Sequence, residues 1–124
     1  MIWIILIVIS LVIIAYSAWH YFRLKKAATF VDNAEFKQLM RVGQLIDVRE
    51  PGRFHQKHIL GARNFPFQQF EASLGALNKE KPVLIYDDNC GALIPRVANI
   101  LKKAGYERVY VLENGFEGWD GKTK

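Results

Sequence analysis

The sequence predicts an α/β protein: a small parallel sheet flanked by helices, preceded by one transmembrane helix. Three observations carry this expectation. The first 22 residues, Met1 to Phe22, are almost wholly apolar. Beyond them, short apolar runs at 44–48, 83–86 and 109–112 alternate with stretches of helical period. Gly43, Pro82 and Gly105 stand at the borders of these runs, where chain breaks belong. With 124 residues there is room for one domain beside the apolar segment.

Taken in order, the apolar segment comes first. About 20 apolar residues at about 1.5 Å rise span the roughly 30 Å hydrocarbon core of a bilayer. The stretch from Ile2 to Ala18 leaves no face for water, and Trp3 at one end with Tyr16, Trp19, Tyr21 and Phe22 at the other resemble interfacial aromatics. A cleaved signal peptide fits poorly, because no Lys or Arg precedes the run, the run exceeds a typical h-region and no clean small-x-small site follows it. Arg23, Lys25 and Lys26 follow the span at once. By the positive-inside rule the chain after the span is cytoplasmic, giving a single-pass protein of the cell membrane. No Gly-x-x-x-Gly pattern marks a packing face in the span.

Residues 23–28 read as a basic juxtamembrane connector, with the chain up to residue 30 lacking any Gly/Pro/Ser spacer. Asp32 and Glu35 have the spacing of a capping box, and Phe36, Leu39 and Met40 mark one face of the short helix it opens. Gln44 to Val48 is a candidate buried strand closing on Asp47. Pro51 begins a turn or short helix carrying Phe54 and His55, and a loop through Gly61 leads to Asn64-Phe65-Pro66. A helical stretch is expected around Phe67 to Leu77. Val83 to Tyr86 is the second strand. The helix after the next loop puts Val97, Ile100 and Leu101 on one face and stops at Gly105. Val109 to Leu112 is the third strand, and Gly115 to Trp119 is a last turn whose aromatics pack on the core.

Charge narrows the function. The net charge is +5, but without the juxtamembrane cluster 14 basic residues face 12 acidic ones, a balance of +2. That gives no case for nucleic acid. The lone cysteine, Cys90, excludes an intrachain disulfide and a multi-cysteine metal site, so no metal or cofactor is expected.

Leu45-Ile46-Asp47-Val48-Arg49-Glu50-Pro51, then Phe54, then His58 to Pro66, resembles the first signature of rhodanese-like domains. Leu101 to Trp119 resembles that family's closing segment. The resemblance covers about residues 29–121, essentially all that follows the connector. It implies a sulfurtransferase-type domain in which a cysteine directly after a strand carries a persulfide, cradled by backbone N–H groups at a helix start. It also implies a structural role for Asp47 and Arg49, paired at the base of the active-site loop.

That loop departs from the family's pattern. It reads Asp87-Asp88-Asn89-Cys90-Gly91-Ala92-Leu93 before Ile94-Pro95-Arg96. Aligned from the strand, Asp87 occupies the nucleophile position; aligned from the following helix, Asp88 does. Cys90 falls at neither. Two carboxylates at the mouth repel sulfur anions and raise the pKa of a nearby thiol. The expectation is a membrane-anchored, catalytically diverged module that binds a protein partner or a small sulfur-containing anion. The alternative is a sulfurtransferase using Cys90 in a shifted loop.

Three other constellations have plain readings. Cys90 and Arg96 have the spacing of a cysteine-phosphatase loop, but Pro95 lacks an N–H and the intervening residues are apolar. Asp87 and Asp88 could ligate a divalent cation, though adjacent acids at a helix start more often cap it. His55 and His58 are three apart with no third ligand nearby, which suits hydrogen-bonding or surface roles.

Overall fold

The structure, a computed structural model, describes residues 1–25 and 28–124, with the backbone alone for 21–25. Helix α1 runs Ile2–Lys25 and over Ile2–His20 is long and apolar enough to cross a bilayer, with none of that stretch buried inside the molecule. Within it Ser10 Oγ donates to the Leu6 carbonyl at 2.9 Å, so that hydroxyl needs no water. The connector expected at 23–28 is helical through Lys25; Lys26 and Ala27 lie outside the described residues.

Five strands form one all-parallel sheet in the order β1-β5-β4-β2-β3: β1 Thr29–Val31, β2 Gln44–Asp47, β3 Arg63–Asn64, β4 Val83–Tyr86 and β5 Val109–Leu112. The three strands expected from the sequence are the central three. The two others correct it. No strand is expected at residues 29–31, where β1 forms, and the loop before Phe65 holds β3. Strands of three and two residues carry no readable period; pairing with β5 (Thr29↔Tyr110) and β2 (Asp47↔Asn64) defines them.

Side chains alternate across β4, so Val83 and Ile85 face one apolar layer while Leu84 and Tyr86 face the other. The first layer packs Phe65, Phe70, Ile94, Val97 and Leu101, and the second packs Phe36, Ile59 and Leu112, with both layers fully or nearly buried. Helix α2 (Asn33–Leu39) starts at the expected cap, where the Glu35 N–H donates to Asp32 Oδ1 at 2.9 Å. Helix α3 spans Pro51–Gln56.

The helical stretch expected over 67–77 is broken into a 3₁₀ turn at Phe67–Gln69, helix α4 at Phe70–Ser73, and a second 3₁₀ turn at Leu74–Ala76. Phe67, Phe70, Leu74 and Leu77 pack at spacings of three and four, and Gly75 weakens any longer helix. Helix α5 (Leu93–Lys103) buries Ile94, Val97, Ala98 and Leu101. Pro95 stands in its first turn, where its missing N–H removes no helix bond. Gly105 then ends the helix at φ +95°. The last turn, Phe116–Gly118, leaves Phe116 and Trp119 half-buried against the second layer rather than within it.

Candidate functional site

In an open parallel sheet the crevice past the C-terminal strand ends is where ligands bind. Here Asp47 closes β2, Asn64 closes β3 and Asp87 follows β4, all on that edge. Asp47 is fully buried and Arg49 is 5% exposed. Arg49 Nε lies 3.0 Å from both Asp47 carboxylate oxygens, and Nη2 lies 2.7 Å from Oδ2. Nη2 also donates to the Lys57 carbonyl and Nη1 to Asp88 Oδ1 at 3.1 Å. The guanidinium stacks 4.3 Å from the Phe116 ring centroid. Burial works to lower its pKa, but hydrogen bonding and charge from Asp47, then Asp88, outweigh it and leave the pKa raised. The Asn64 side-chain amide donates to the carbonyls of Asp47 and Arg49 and fixes the backbone between them.

Asp87 directly follows Tyr86, whose buried phenol oxygen accepts the Ile59 N–H at 3.1 Å. Burial, with the nearby charge of Asp47, pushes that phenol's pKa upward. The Asp87 side chain turns back onto its own loop. Oδ1 accepts the Cys90 N–H at 2.5 Å, and Oδ2 accepts the Gly91 N–H at 3.0 Å. Cys90 makes this possible by taking φ +57°, the left-handed conformation that aims consecutive N–H groups at one point. The carboxylate is itself buried, with 6% exposure.

Asp88 faces the other way, between Arg49 and Arg53, with both arginines 3.1 Å from its oxygens. The two acids therefore do not converge on a common point. Among the described residues no group of three or more His, Cys, Asp or Glu could hold a metal ion. Nor do they cap α5, whose N-cap position is Ala92 with no side-chain bond. The caps they form are on the loop amides and the arginines instead.

The acidic loop is tied to the last turn. Phe116 N–H donates to the Asp87 carbonyl at 2.7 Å and Glu117 N–H to that of Asp88 at 2.9 Å. Gly115 permits this approach: at φ +66°, a Cβ there would stand 2.5 Å from the Asp88 carbonyl oxygen. A cavity of about 540 Å³ opens at the mouth, and its wall includes six of the seven expected loop residues: Asp87, Asp88, Asn89, Gly91, Ala92 and Leu93. Arg49, Glu50, Arg53 and Glu117 complete it.

Cys90 is the loop residue that does not line this cavity. It packs, half-buried, against the apolar layer of Ile94 and Val97. Its thiol pKa is raised, first by burial and then by the charges of Asp87 and Glu113. At any pH below that pKa the reactive thiolate fraction is smaller than for an ordinary cysteine. Iodoacetamide at pH 8 is therefore expected to alkylate Cys90 of the folded chain more slowly than the urea-unfolded chain; equal rates would contradict this geometry.

Arg96 is exposed on α5 and lines a separate groove with Phe67, Glu71 and Asn99, so no phosphate loop forms between it and Cys90. His58 bonds through Nδ1 to the Phe54 carbonyl at 2.8 Å and stacks on the Phe54 ring, while His55 is exposed. Arg53, Glu50, Glu117, Asn64 and Tyr86 were not among the expected site residues. Arg53 follows Arg49 by four residues in a segment that also carries Asp47 and Glu50, the one pattern that could have marked it.

A parallel sheet with a loop of converging amides after its central strand defines a class of anion-cradling α/β domains. Residues 32–122 match the sequence profile of the Rhodanese-like domain, and the chain belongs to that family. It is 38% identical over 121 residues to "Uncharacterized protein YqhL" of Bacillus subtilis (strain 168), covering 98% of this chain and 94% of that one. It is 38% identical over 77 residues to thiosulfate sulfurtransferase GlpE of Tolumonas auensis, covering 60% of this chain and 70% of that one. Among solved structures, BH2092 protein from Bacillus halodurans superposes with a TM-score of 0.70 at 23% identity, over 89% of this chain and 85% of that one. The rhodanese-like domain of Anabaena sp Alr3790 protein gives 0.68 at 24% identity, over 76% of each chain. At these identities the structural likeness speaks to the fold alone.

Proposed function

We propose that this chain is a single-pass membrane protein whose rhodanese-like domain has lost sulfur transfer and serves as a binding or regulatory module. Residues 1–22 would cross the bilayer, with Arg23, Lys25 and Lys26 holding the domain on the cytoplasmic side. The observation that carries the loss of chemistry is the Asp87 carboxylate on the Cys90 and Gly91 amides. A cysteine persulfide carries its negative charge two bonds beyond Cβ. An aspartate carboxylate does the same. Asp87 thus supplies as a fixed side chain the anion that the family's loop implies as a reaction intermediate. With the cradle filled from within, and with Glu50, Asp88 and Glu117 on the cavity wall, a protein partner suits the mouth better than a small sulfur anion.

The likeness to GlpE keeps sulfur transfer through Cys90 as the rival reading. The full chain in detergent, given thiosulfate and cyanide, is expected to form no thiocyanate above the protein-free rate. Its intact mass after thiosulfate treatment should be unchanged. Turnover that disappears in Cys90→Ser would overturn the proposal.

A further inference from the structure

We infer that the strand-start edge of the domain docks onto anionic lipid headgroups and holds the Asp87 loop away from the bilayer. The inference rests on the reading of α1 as a membrane span. Lys25 ends α1 and Thr29 begins β1, so their Cα atoms lie within about 14 Å by chain length alone. All five strands are parallel, which places every strand start on the edge that β1 enters and every strand end on the other. The segments at the entry edge are joined to one another. Gln44 N–H donates to the Pro82 carbonyl at 2.8 Å, Val83 N–H to that of Arg108 at 2.9 Å, and the Gln44 side chain bonds Asn78 in both directions.

This edge is cationic. Arg41 precedes β2, Lys79 and Lys81 precede β4, Lys103 ends α5 and Arg108 precedes β5, against Glu80 and Glu107. All five cations are exposed, and none ion-pairs with a described carboxylate. Val42, beside Arg41, is 61% exposed. From β1 to β2 the edge is three strand spacings wide, about 14 Å. That brings these cations close to the level where α1 leaves the hydrocarbon, within reach of a negative surface potential that decays over about 10 Å. The opposite edge carries Asp47, Glu50, Asp87, Asp88, Glu113 and Glu117 against Arg49, Arg53 and Lys57, an acidic excess that the same potential repels. The near-neutral balance of the domain therefore hides a separation of charge along the strand axis.

The test is lysine acetylation of the full chain in nanodiscs of phosphatidylcholine alone, or of equal parts phosphatidylcholine and phosphatidylglycerol, read by peptide mass spectrometry. Lys79, Lys81 and Lys103 are expected to label about fivefold more slowly with the anionic lipid. Lys57, at the Arg49 side of the site, should label alike in both. Arg41→Glu with Arg108→Glu should remove the difference at Lys79 without affecting incorporation into the discs. Equal labelling of an incorporated chain overturns the docking edge and leaves the span standing. Slowed labelling of Lys57 as well overturns the orientation. A chain that does not enter phosphatidylcholine discs overturns the span and the docking edge with it.

Discussion

Arg49→Met is expected to lower the unfolding free energy by about 3 to 5 kcal/mol, measured by urea unfolding of the detergent-solubilised chain. The substitution keeps the length and apolar stem of the side chain but leaves the fully buried Asp47 carboxylate without its cation. It also removes one of the two arginine partners of Asp88 and the side-chain donor to the Lys57 carbonyl at once, since one guanidinium serves all three. The total stability of a domain this size is typically about 5 to 15 kcal/mol, so the variant approaches the unfolding threshold at room temperature. Arg53→Met is the matched comparison. Arg53 also bonds Asp88 at 3.1 Å, but it is 61% exposed, and exposed pairs contribute about 1 kcal/mol or less. A loss for Arg49→Met no greater than for Arg53→Met would show that the buried pair does not organise the loop base.

The second large effect is a gain. Asp87→Cys, made together with Cys90→Ser, is expected to acquire one sulfur atom on treatment with thiosulfate, seen as the matching rise in intact mass. The introduced thiolate would attack the sulfane sulfur, the sulfur–sulfur bond of thiosulfate would break, and sulfite would leave with the electron pair. The terminal sulfur of the resulting persulfide would stand where a carboxylate oxygen of Asp87 now accepts the residue 90 and 91 amides. Removing Asp87 also removes the carboxylate charge that now sits at that point, which favours both the thiolate and the incoming dianion. The parent chain under the same treatment should stay unmodified. A variant that takes up no sulfur would show that Asp88, Leu93 and the apolar start of α5 have closed the loop to the family's chemistry.

Much of this architecture was legible in the sequence because its central elements have strong local signals. β4 and β5 are continuous apolar runs, as strands buried on both faces must be, β2 centres on Leu45 and Ile46 within the 44–48 run, and α5 carries a clear apolar stripe. β1 and β3 were not legible, since two or three residues become a strand only by pairing with a neighbour. The 67–77 stretch was legible as helical but not as broken, because spacings of three and four fit α and 3₁₀ turns alike. At the site, the acids at 87 and 88 were visible at once, and so was their hostility to a thiolate. What they bond was not visible. The turn of Asp87 onto its own loop depends on the left-handed backbone of Cys90, which no residue-type rule assigns to cysteine. The recruitment of Arg53 depends on where α3 sits beside Asp88, a distance set by tertiary packing.

The Asp87 carboxylate lies in the same chain as the amides that hold it, separated from them by only a few bonds. Its effective concentration at the cradle is therefore in the millimolar range or above, on the order of what short tethers give. A free anion of equal affinity for these two amides would have to reach that concentration to compete with it. In this structure the cradle is filled by the loop's own side chain. The hydrogen bonds that give the loop this shape come from the fold itself and not from a bound sulfur compound. If the proposed binding role holds, a partner at this face meets a surface set by the fold, and control over the encounter would fall to where the domain is held and to how much of it is made.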